Sequence, residues 1–162
     1  MSRLDSFIRR LEAQRACLGH AAEAIRGIDG IVLELGLGNG RTYDHLRSLF
    51  PDRDIYVCER QIAAHPDCVP PADRLILGDM RETLPAMRER FGRRVALAHL
   101  DAGTGDAAGN RALVTALAPD IVPLLCDGGI LVSDQAIEAP ELTPLPLPDG
   151  VAEDRYHLYR RS

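Results

Sequence analysis

Five short apolar runs alternate with stretches of helical spacing, and this alternation restricts the fold more than any other feature of the sequence. Each run is followed directly by glycine or by an acidic residue. The runs lie at residues 31–35, 54–58, 75–77, 95–100 and 129–133. Short apolar runs of this kind are typical of buried parallel strands, and strands that alternate with helices form a parallel sheet covered on both faces. We therefore predict an α/β fold with a doubly wound, mostly parallel sheet.

The segments between the runs carry apolar residues at helical spacing. Residues 60–74 contain three prolines and are predicted to form a loop with a helical turn. Residues 103–109 are predicted to form a glycine-rich loop. Pro119 is expected to break or restart the helix in which it lies. The predicted helices cover residues 4–26, 41–50, 81–91 and 110–126.

The tail of the chain differs in character from the rest. Four prolines lie between positions 138 and 149, so residues 142–148 are predicted to be an extended edge segment. Alternating polarity over residues 155–160 predicts a last strand. Such an edge is open to pairing with a second copy, and we expect a homodimer.

The chain has 162 residues and no linker long enough to separate two domains. We expect one domain over residues 1–162, with an N-terminal helix at 1–27 and a C-terminal edge hairpin at 136–162.

Composition and charge exclude several classes of function. The net charge of -5 disfavours a nucleic-acid partner, because binding to phosphates favours a basic surface. No apolar stretch reaches 18 residues and no signal peptide is visible, so we expect no membrane association. The cysteines form no CxxC pair and have no zinc-finger spacing, which indicates reduced thiols and a cytoplasmic location. They are Cys17, Cys58, Cys68 and Cys126.

The loop after the first run, residues 36–40, has the pattern G-x-G-x-G. Glycines allow a tight strand-to-helix turn, and the N–H groups of the following helix can bind an anionic group. A dinucleotide fingerprint would place its third glycine at position 41, which is Arg41. Glu59 follows the second run, where a carboxylate can accept hydrogen bonds from both hydroxyls of a ribose. The alternatives are a loop that serves only a tight turn and a Glu59 that is only a surface acid.

Residues 32–40 resemble the first motif of class I S-adenosylmethionine-dependent methyltransferases, and the resemblance extends from residue 31 to about 135. It implies a Rossmann-like sheet of six or seven strands with helices on both faces, and S-adenosyl-L-methionine as the cofactor. It also implies that the glycine loop wraps the methionine part and that Glu59 holds the ribose. Asp79 would meet the adenine amino group, and Asp101 would border the transferred methyl group. The small size and missing cap are similar to a small bacterial family described as S-adenosyl-L-methionine methyltransferases.

The resemblance and the loop together define the candidate site, with Asp101 as the candidate catalytic residue. Three assignments stay open at this point: Asp79 as a helix N-cap, Tyr43 as a packing residue, and Arg60 as either solvated or stacked on adenine. The cofactor-binding candidates are Glu34, Gly36, Gly38, Asn39, Gly40, Tyr43, Glu59, Arg60, Gly78, Asp79, Met80 and Asp101.

We expect no metal ion. Asp101, Asp134 and Gln135 resemble the magnesium ligands of catechol-type O-methyltransferases, but Gln stands where Asn is usual. His99 lies inside the fourth run, and we expect it to be a histidine of the core or sheet face and not a base.

The predicted function is S-adenosylmethionine-dependent methyl transfer to a small-molecule acceptor. The alternatives are a non-catalytic module that binds the cofactor or a partner, and a nicotinamide-dependent oxidoreductase. The displaced third glycine and the short chain disfavour the oxidoreductase.

Overall fold

A computed structural model describes residues 2–101 and 106–162, and these form a single sheet of seven strands. The strand order is β3-β2-β1-β4-β5-β7-β6. Strands β1 to β5 are parallel, whereas β7 is antiparallel to both of its neighbours. The strands are β1 Ile31–Leu35, β2 Ile55–Glu59, β3 Leu75–Leu77, β4 Val95–Leu100, β5 Leu125–Ser133, β6 Leu142–Pro144 and β7 His157–Arg161.

Within the described residues, four helices cover the two faces of this sheet, which confirms the predicted doubly wound α/β fold. Side chains of α1 and α2 pack against one face, and side chains of α3 and α4 pack against the other. Short 3-10 turns lie at Pro66–Cys68, Ala72–Arg74 and Val122–Leu124. The helices are α1 Arg3–Ala24, α2 Arg41–Leu49, α3 Met80–Phe91 and α4 Ala107–Ile121.

The start of α1 is fixed by a capping box. The Ser2 hydroxyl accepts a hydrogen bond from the Asp5 N–H, and the Asp5 carboxylate accepts one from the Ser2 N–H, each at 3.0 Å. These two bonds satisfy donors that a helix start would otherwise leave free. Apolar residues at helical spacing then stabilise the rest of the helix by packing on the sheet. Buried residues such as Cys17 and Leu18 face the sheet.

The prediction that Pro119 breaks its helix was wrong. Helix α4 runs through Pro119 and ends at Ile121. Proline removes one N–H and displaces the carbonyl four residues earlier, here that of Thr115. Both residues are exposed and lie near the helix end, so water can satisfy the freed carbonyl.

The boundaries around β5 also differ from the prediction. The helix expected to reach residue 126 ends five residues earlier, and β5 begins at Leu125 instead of Gly129. The pairing with β4 shifts register between Val95 and Leu97, which marks an irregularity that extends the strand through the glycines. Of the predicted glycine-rich loop at 103–109, residues 103–105 lie outside the described residues, and α4 begins at Ala107.

Candidate cofactor site

The residues that follow β1 to β5 form a row along one edge of the sheet, which we call the carboxyl edge. Backbone hydrogen bonds extend the ladders by one residue, from Gly36 to the Cys58 carbonyl at 2.9 Å and from Asp101 to the Leu35 carbonyl at 3.3 Å. Asp134 is bonded in the same way to the Leu100 carbonyl at 3.2 Å. The strand order reverses between β1 and β4, and ligands of open α/β sheets bind at such a switch point.

A cavity of about 430 Å³ opens at this switch point. Most of the candidates predicted from the sequence border it: Gly36, Gly38, Glu59, Arg60, Asp79, Met80 and Asp101. Larger cavities of about 650 and 720 Å³ lie along residues 144–151 and beside α4, but neither includes the glycine loop or the edge acids. The cavity at the switch point is therefore the candidate cofactor site.

Four lining residues were missed by the sequence interpretation: Arg81, Gly109, Asn110 and Leu113. Arg81 directly follows the predicted residues Asp79 and Met80, so its position in the sequence could have indicated that it lines the cavity. The other three lie in the first two turns of α4. Only the crossover of α4 over the sheet brings them to the switch point, so local sequence carried no signal for them.

Glu59 holds the glycine loop through backbone hydrogen bonds. Its Oε2 accepts the N–H groups of Leu37 at 2.8 Å and Gly38 at 3.0 Å, and its Oε1 accepts those of Arg60 at 2.6 Å and Gln61 at 3.3 Å. Burial alone would raise the pKa of Glu59, but these four donors outweigh burial and lower it. Glu59 is therefore a carboxylate that is fixed in place at the cavity.

The glycines of the loop serve different purposes. Gly38 has φ +53°, and a Cβ added there would meet no atom within 4 Å, so this position stays open toward the cavity. Gly40 has φ +85°, and a Cβ there would lie 2.5 Å from the Cβ of Cys68. Gly40 is thus required by the close approach of the segment that follows β2.

Several other candidates lie beneath or beside the loop and do not line the cavity. Glu34 is completely buried, and its carboxylate accepts a hydrogen bond from the Thr42 hydroxyl. Tyr43 is buried in the core between α2 and the sheet. The Asn39 side chain accepts the Arg41 N–H at 3.2 Å. Gly78 has φ +145° and forms the turn into α3.

Asp79 has two structural roles. Its Oδ1 accepts the Arg81 N–H at 2.9 Å, so it is the N-cap of α3, as the alternative interpretation proposed. It also borders the cavity together with the neighbouring Met80. The two interpretations are therefore compatible.

Asp101 connects the cavity to α1. Its Oδ1 accepts the Arg10 guanidinium at 2.5 Å, and its Oδ2 accepts the Gln14 amide at 2.7 Å. Burial is the largest cause that raises the pKa of the nearby Asp134, and the negative charge of Asp101 is the next largest.

The same neighbourhood has the residues that resemble a magnesium site. Gln135 donates from Nε2 to Asp134 at 3.4 Å, and Asp101 is already paired with a cation. Within residues 2–101 and 106–162, no group of three or more His, Cys, Asp or Glu side chains could hold a metal ion. Arg10 already pairs with the Asp101 carboxylate that a divalent cation would need.

The fold and this edge define the class of α/β proteins that bind a ligand at the switch point of a parallel sheet. The sequence profile of the family described as S-adenosyl-L-methionine methyltransferase matches residues 1–161. The chain belongs to that family, so it is a methyltransferase that uses S-adenosyl-L-methionine. Among curated proteins, none matches this chain.

Solved structures agree with this assignment. The S-adenosyl-L-methionine methyl transferase from Silicibacter pomeroyi DSS-3 is 49% identical, with a TM-score of 0.96 over 100% of this chain and 99% of that one. Human methyltransferase-like protein 13, solved with SAH, is 15% identical, with a TM-score of 0.60 over 93% and 81% of the two chains. The SAH-bound Podospora anserina methyltransferase PaMTH1 is 16% identical, with a TM-score of 0.55 over 90% and 78%. The last two are similar in fold.

Proposed function

We propose that this enzyme methylates a small-molecule acceptor and that the cavity at the switch point holds the cofactor. The observation that carries the proposal is the hydrogen-bonded unit of Glu59 and the glycine loop at the border of that cavity. S-adenosyl-L-methionine supplies a methyl group activated by its sulfonium. The protein then has to bind the two substrates, orient them and exclude water. These tasks can account for most of the rate enhancement.

The order of residues along the carboxyl edge supports one orientation of the cofactor. Glu59, Arg60, Asp79 and Met80 lie on the β2–β3 side, where they would bind the adenosine. Gly36 and Gly38 lie between them and Asp101, and we assign this part to the methionine end. Glu34, Asn39, Gly40, Tyr43 and Gly78 would then act by shaping the loop and its turns and not by contact.

The acceptor is proposed to approach beside Asp101. This carboxylate borders the cavity and is tied to α1 by Arg10 and Gln14, so it lies where a second substrate would meet the cofactor. An acid ends β2, and acids follow β3, β4 and β5 within two residues. A row of carboxylates repels the phosphates of a nucleic acid, which favours a small acceptor over a nucleic acid.

The test uses S-adenosylmethionine with a labelled methyl group and a cell extract separated by size. We expect calorimetry to detect cofactor binding and the label to enter the small-molecule fraction. At limiting cofactor, the Glu59→Ala variant should transfer much less label than the wild type, whereas Glu89→Gln, at an exposed acid in α3, should transfer as much. Label in the protein or RNA fraction would overturn the small-molecule acceptor, and tight binding without any transfer would favour a non-catalytic module.

Two further expectations belong to this proposal. Strands β6 and β7 end the sheet on one side, and a homodimer through this edge predicts twice the monomer mass in light scattering. A monomer at all concentrations would count against it. The four cysteines are free thiols, which suits the proposed cytoplasmic location. In the described part of the chain, no helix is long and apolar enough to cross a membrane.

A further inference from the structure

A row of buried polar side chains runs from beneath the glycine loop to Asp101. Glu34 accepts the Thr42 hydroxyl, and its Oε2 lies 2.8 Å from Nδ1 of His99. Nε2 of His99 lies 3.4 Å from the hydroxyl of Tyr156, and that hydroxyl lies 3.5 Å from Oδ2 of Asp101. Glu34, His99 and Tyr156 are each 0% exposed. Burial of so many polar groups is costly unless every one has a partner.

Helix α1 closes the far end of the row. The Gln14 amide nitrogen lies 2.7 Å from Oδ2 of Asp101 and 2.6 Å from the Tyr156 hydroxyl. An amide NH₂ has two hydrogens and no acceptor capacity, so Gln14 donates to both oxygens. Arg10 donates to the other oxygen of Asp101 at 2.5 Å.

The Tyr156 hydroxyl has one hydrogen and two places to donate it. If His99 is neutral with its proton on Nδ1, the free Nε2 accepts from Tyr156 and Asp101 loses a donor. If His99 is an imidazolium, both ring nitrogens donate, and Tyr156 must direct its hydrogen to Asp101. The two distances are nearly equal, so the protonation of His99 decides between the two arrangements.

The charges around His99 favour the imidazolium. The Glu34 carboxylate of β1 contacts the ring. Asp101 and Asp134, which directly follow β4 and β5, are also negative charges that act on it. Arg10 of α1 is the nearby cation, bonded to Asp101, and Tyr156 faces Nε2 from the segment before β7. Burial alone would lower the pKa of His99, but the contact with Glu34 outweighs burial and raises it. A buried Glu34 carboxylate without a cationic partner would be strongly unfavourable.

We propose that His99 and Tyr156 are positioning residues for Asp101: the imidazolium of His99, held by Glu34, fixes the Tyr156 hydroxyl as a hydrogen-bond donor to the Asp101 carboxylate. The row thereby joins Thr42, in the first turn after the glycine loop, to the acid at the other side of the cavity. This inference rests on the proposed function only in taking Asp101 as a residue of the cofactor site.

A double-mutant cycle on cofactor affinity tests the coupling, with S-adenosylmethionine as the titrant in calorimetry. Tyr156→Phe should weaken binding about 2- to 10-fold, the range expected for loss of one hydrogen bond. In the Asp101→Asn background, the same substitution should have no further effect, because Tyr156 acts through that carboxylate. Additive effects of the two substitutions, or no effect of Tyr156→Phe alone, would overturn the proposal.

The control removes a buried hydroxyl from the opposite face of the sheet. Tyr56 packs with α3 and α4, and its hydroxyl accepts a hydrogen bond from Arg74 at 2.9 Å. Tyr56→Phe should alter stability but leave cofactor affinity unchanged. Equal weakening by the control would indicate a general effect of lost buried hydroxyls and would count against the proposal.

A spectroscopic test reads the protonation of His99 in the wild-type protein and does not depend on cofactor affinity. In protein labelled with ¹⁵N-histidine, both ring nitrogens of His99 should be protonated at pH 6, below the ordinary histidine value of 6.5, because its pKa is raised. The signals are assigned by their loss in His99→Gln. An unprotonated Nε2 at pH 6 would overturn the proposal, because Tyr156 would then donate to His99. Failure of the wild-type protein to bind the cofactor would instead refute the proposed site and leave this readout intact.

Discussion

Glu59 and Gly38 are joined by a hydrogen bond of 3.0 Å from the backbone N–H of Gly38 to Oε2 of Glu59, and the adjacent Leu37 N–H donates to the same oxygen. The acid that ends β2 therefore holds the loop that follows β1. One side chain fixes the shape of the glycine loop and also presents a carboxylate to the cavity. Loss of this side chain should affect both properties.

Replacement of Glu59 should weaken cofactor binding. Glu59→Ala should cost about 1.5–3 kcal/mol of binding free energy, the range for hydrogen bonds to a charged group. Glu59→Gln should not rescue binding, because its NH₂ group would face backbone N–H donors. Calorimetry with S-adenosylmethionine measures both, with Glu89→Gln as the matched control on an exposed acid. Unchanged affinity of Glu59→Ala would contradict the assignment of Glu59 to the site.

The glycines at 38 and 40 should respond differently to substitution by alanine. Gly40→Ala places a methyl group against Cys68 and should lower the free energy of unfolding by about 1–3 kcal/mol, as overpacking does. At Gly38, the new methyl group of Gly38→Ala has free space around it. This variant should lower the free energy of unfolding by only about 1–2 kcal/mol, because of the left-handed backbone, but its methyl group narrows the cavity.

Thermal unfolding and calorimetry separate these two effects. Gly38→Ala should lose more cofactor affinity than stability, and Gly40→Ala should show mainly a lower Tm. The reverse pattern would show that Gly38 has no contact with the ligand.

Asp134→Asn should stabilise the protein at neutral pH. Burial and the neighbouring Asp101 raise the pKa of Asp134 above 3.8, so its ionised form is less stable in the folded protein than in the unfolded chain. This cost is absent below 3.8, grows as the pH rises from 3.8 to the raised pKa, and is complete above it. We expect Tm to rise by about 1–3 °C at pH 7 and to be unchanged at pH 3. A lower Tm at pH 7 would mean that Asp134 has a stabilising partner.

Glu34→Gln should alter the pH dependence of stability. The pKa of His99 is raised in the folded protein, so the stability that its protonation contributes is complete below 6.5 and is lost as the pH rises through the raised value. Glu34→Gln removes the carboxylate that causes the shift, and the difference in unfolding free energy between the variant and the wild type should shrink at high pH. Denaturant unfolding at several pH values measures this. If the difference in unfolding free energy between the variant and the wild type stayed the same at every pH, His99 would not titrate between pH 6.5 and the highest pH measured.

Much of the candidate site could be predicted from local sequence. The glycine loop at 36–40 and the acids at 59, 79 and 101 each follow a recognisable apolar run, and parallel strands necessarily bring their ends to one edge. The effect of Pro119 and the start of β5 were predicted wrongly, because neither is encoded in the local pattern. Helix α4 continues through Pro119 where the freed carbonyl faces water, and the start of β5 depends on how this strand pairs with β4.

The alternating α/β order, the glycine loop and the acids at strand ends follow from the amino-acid sequence, because periodicity and turn chemistry are local properties of the chain. Three other features arise only from the packing of distant segments: Glu59 holds the loop, α4 brings Asn110 to the candidate cavity, and Glu34 contacts His99 and does not line that cavity. The same packing brings Arg10, Gln14 and Tyr156 to Asp101, from up to 91 positions away in the chain. Such contacts depend on which faces pack together, and that choice is made by the sheet order and by the burial of polar groups that need partners.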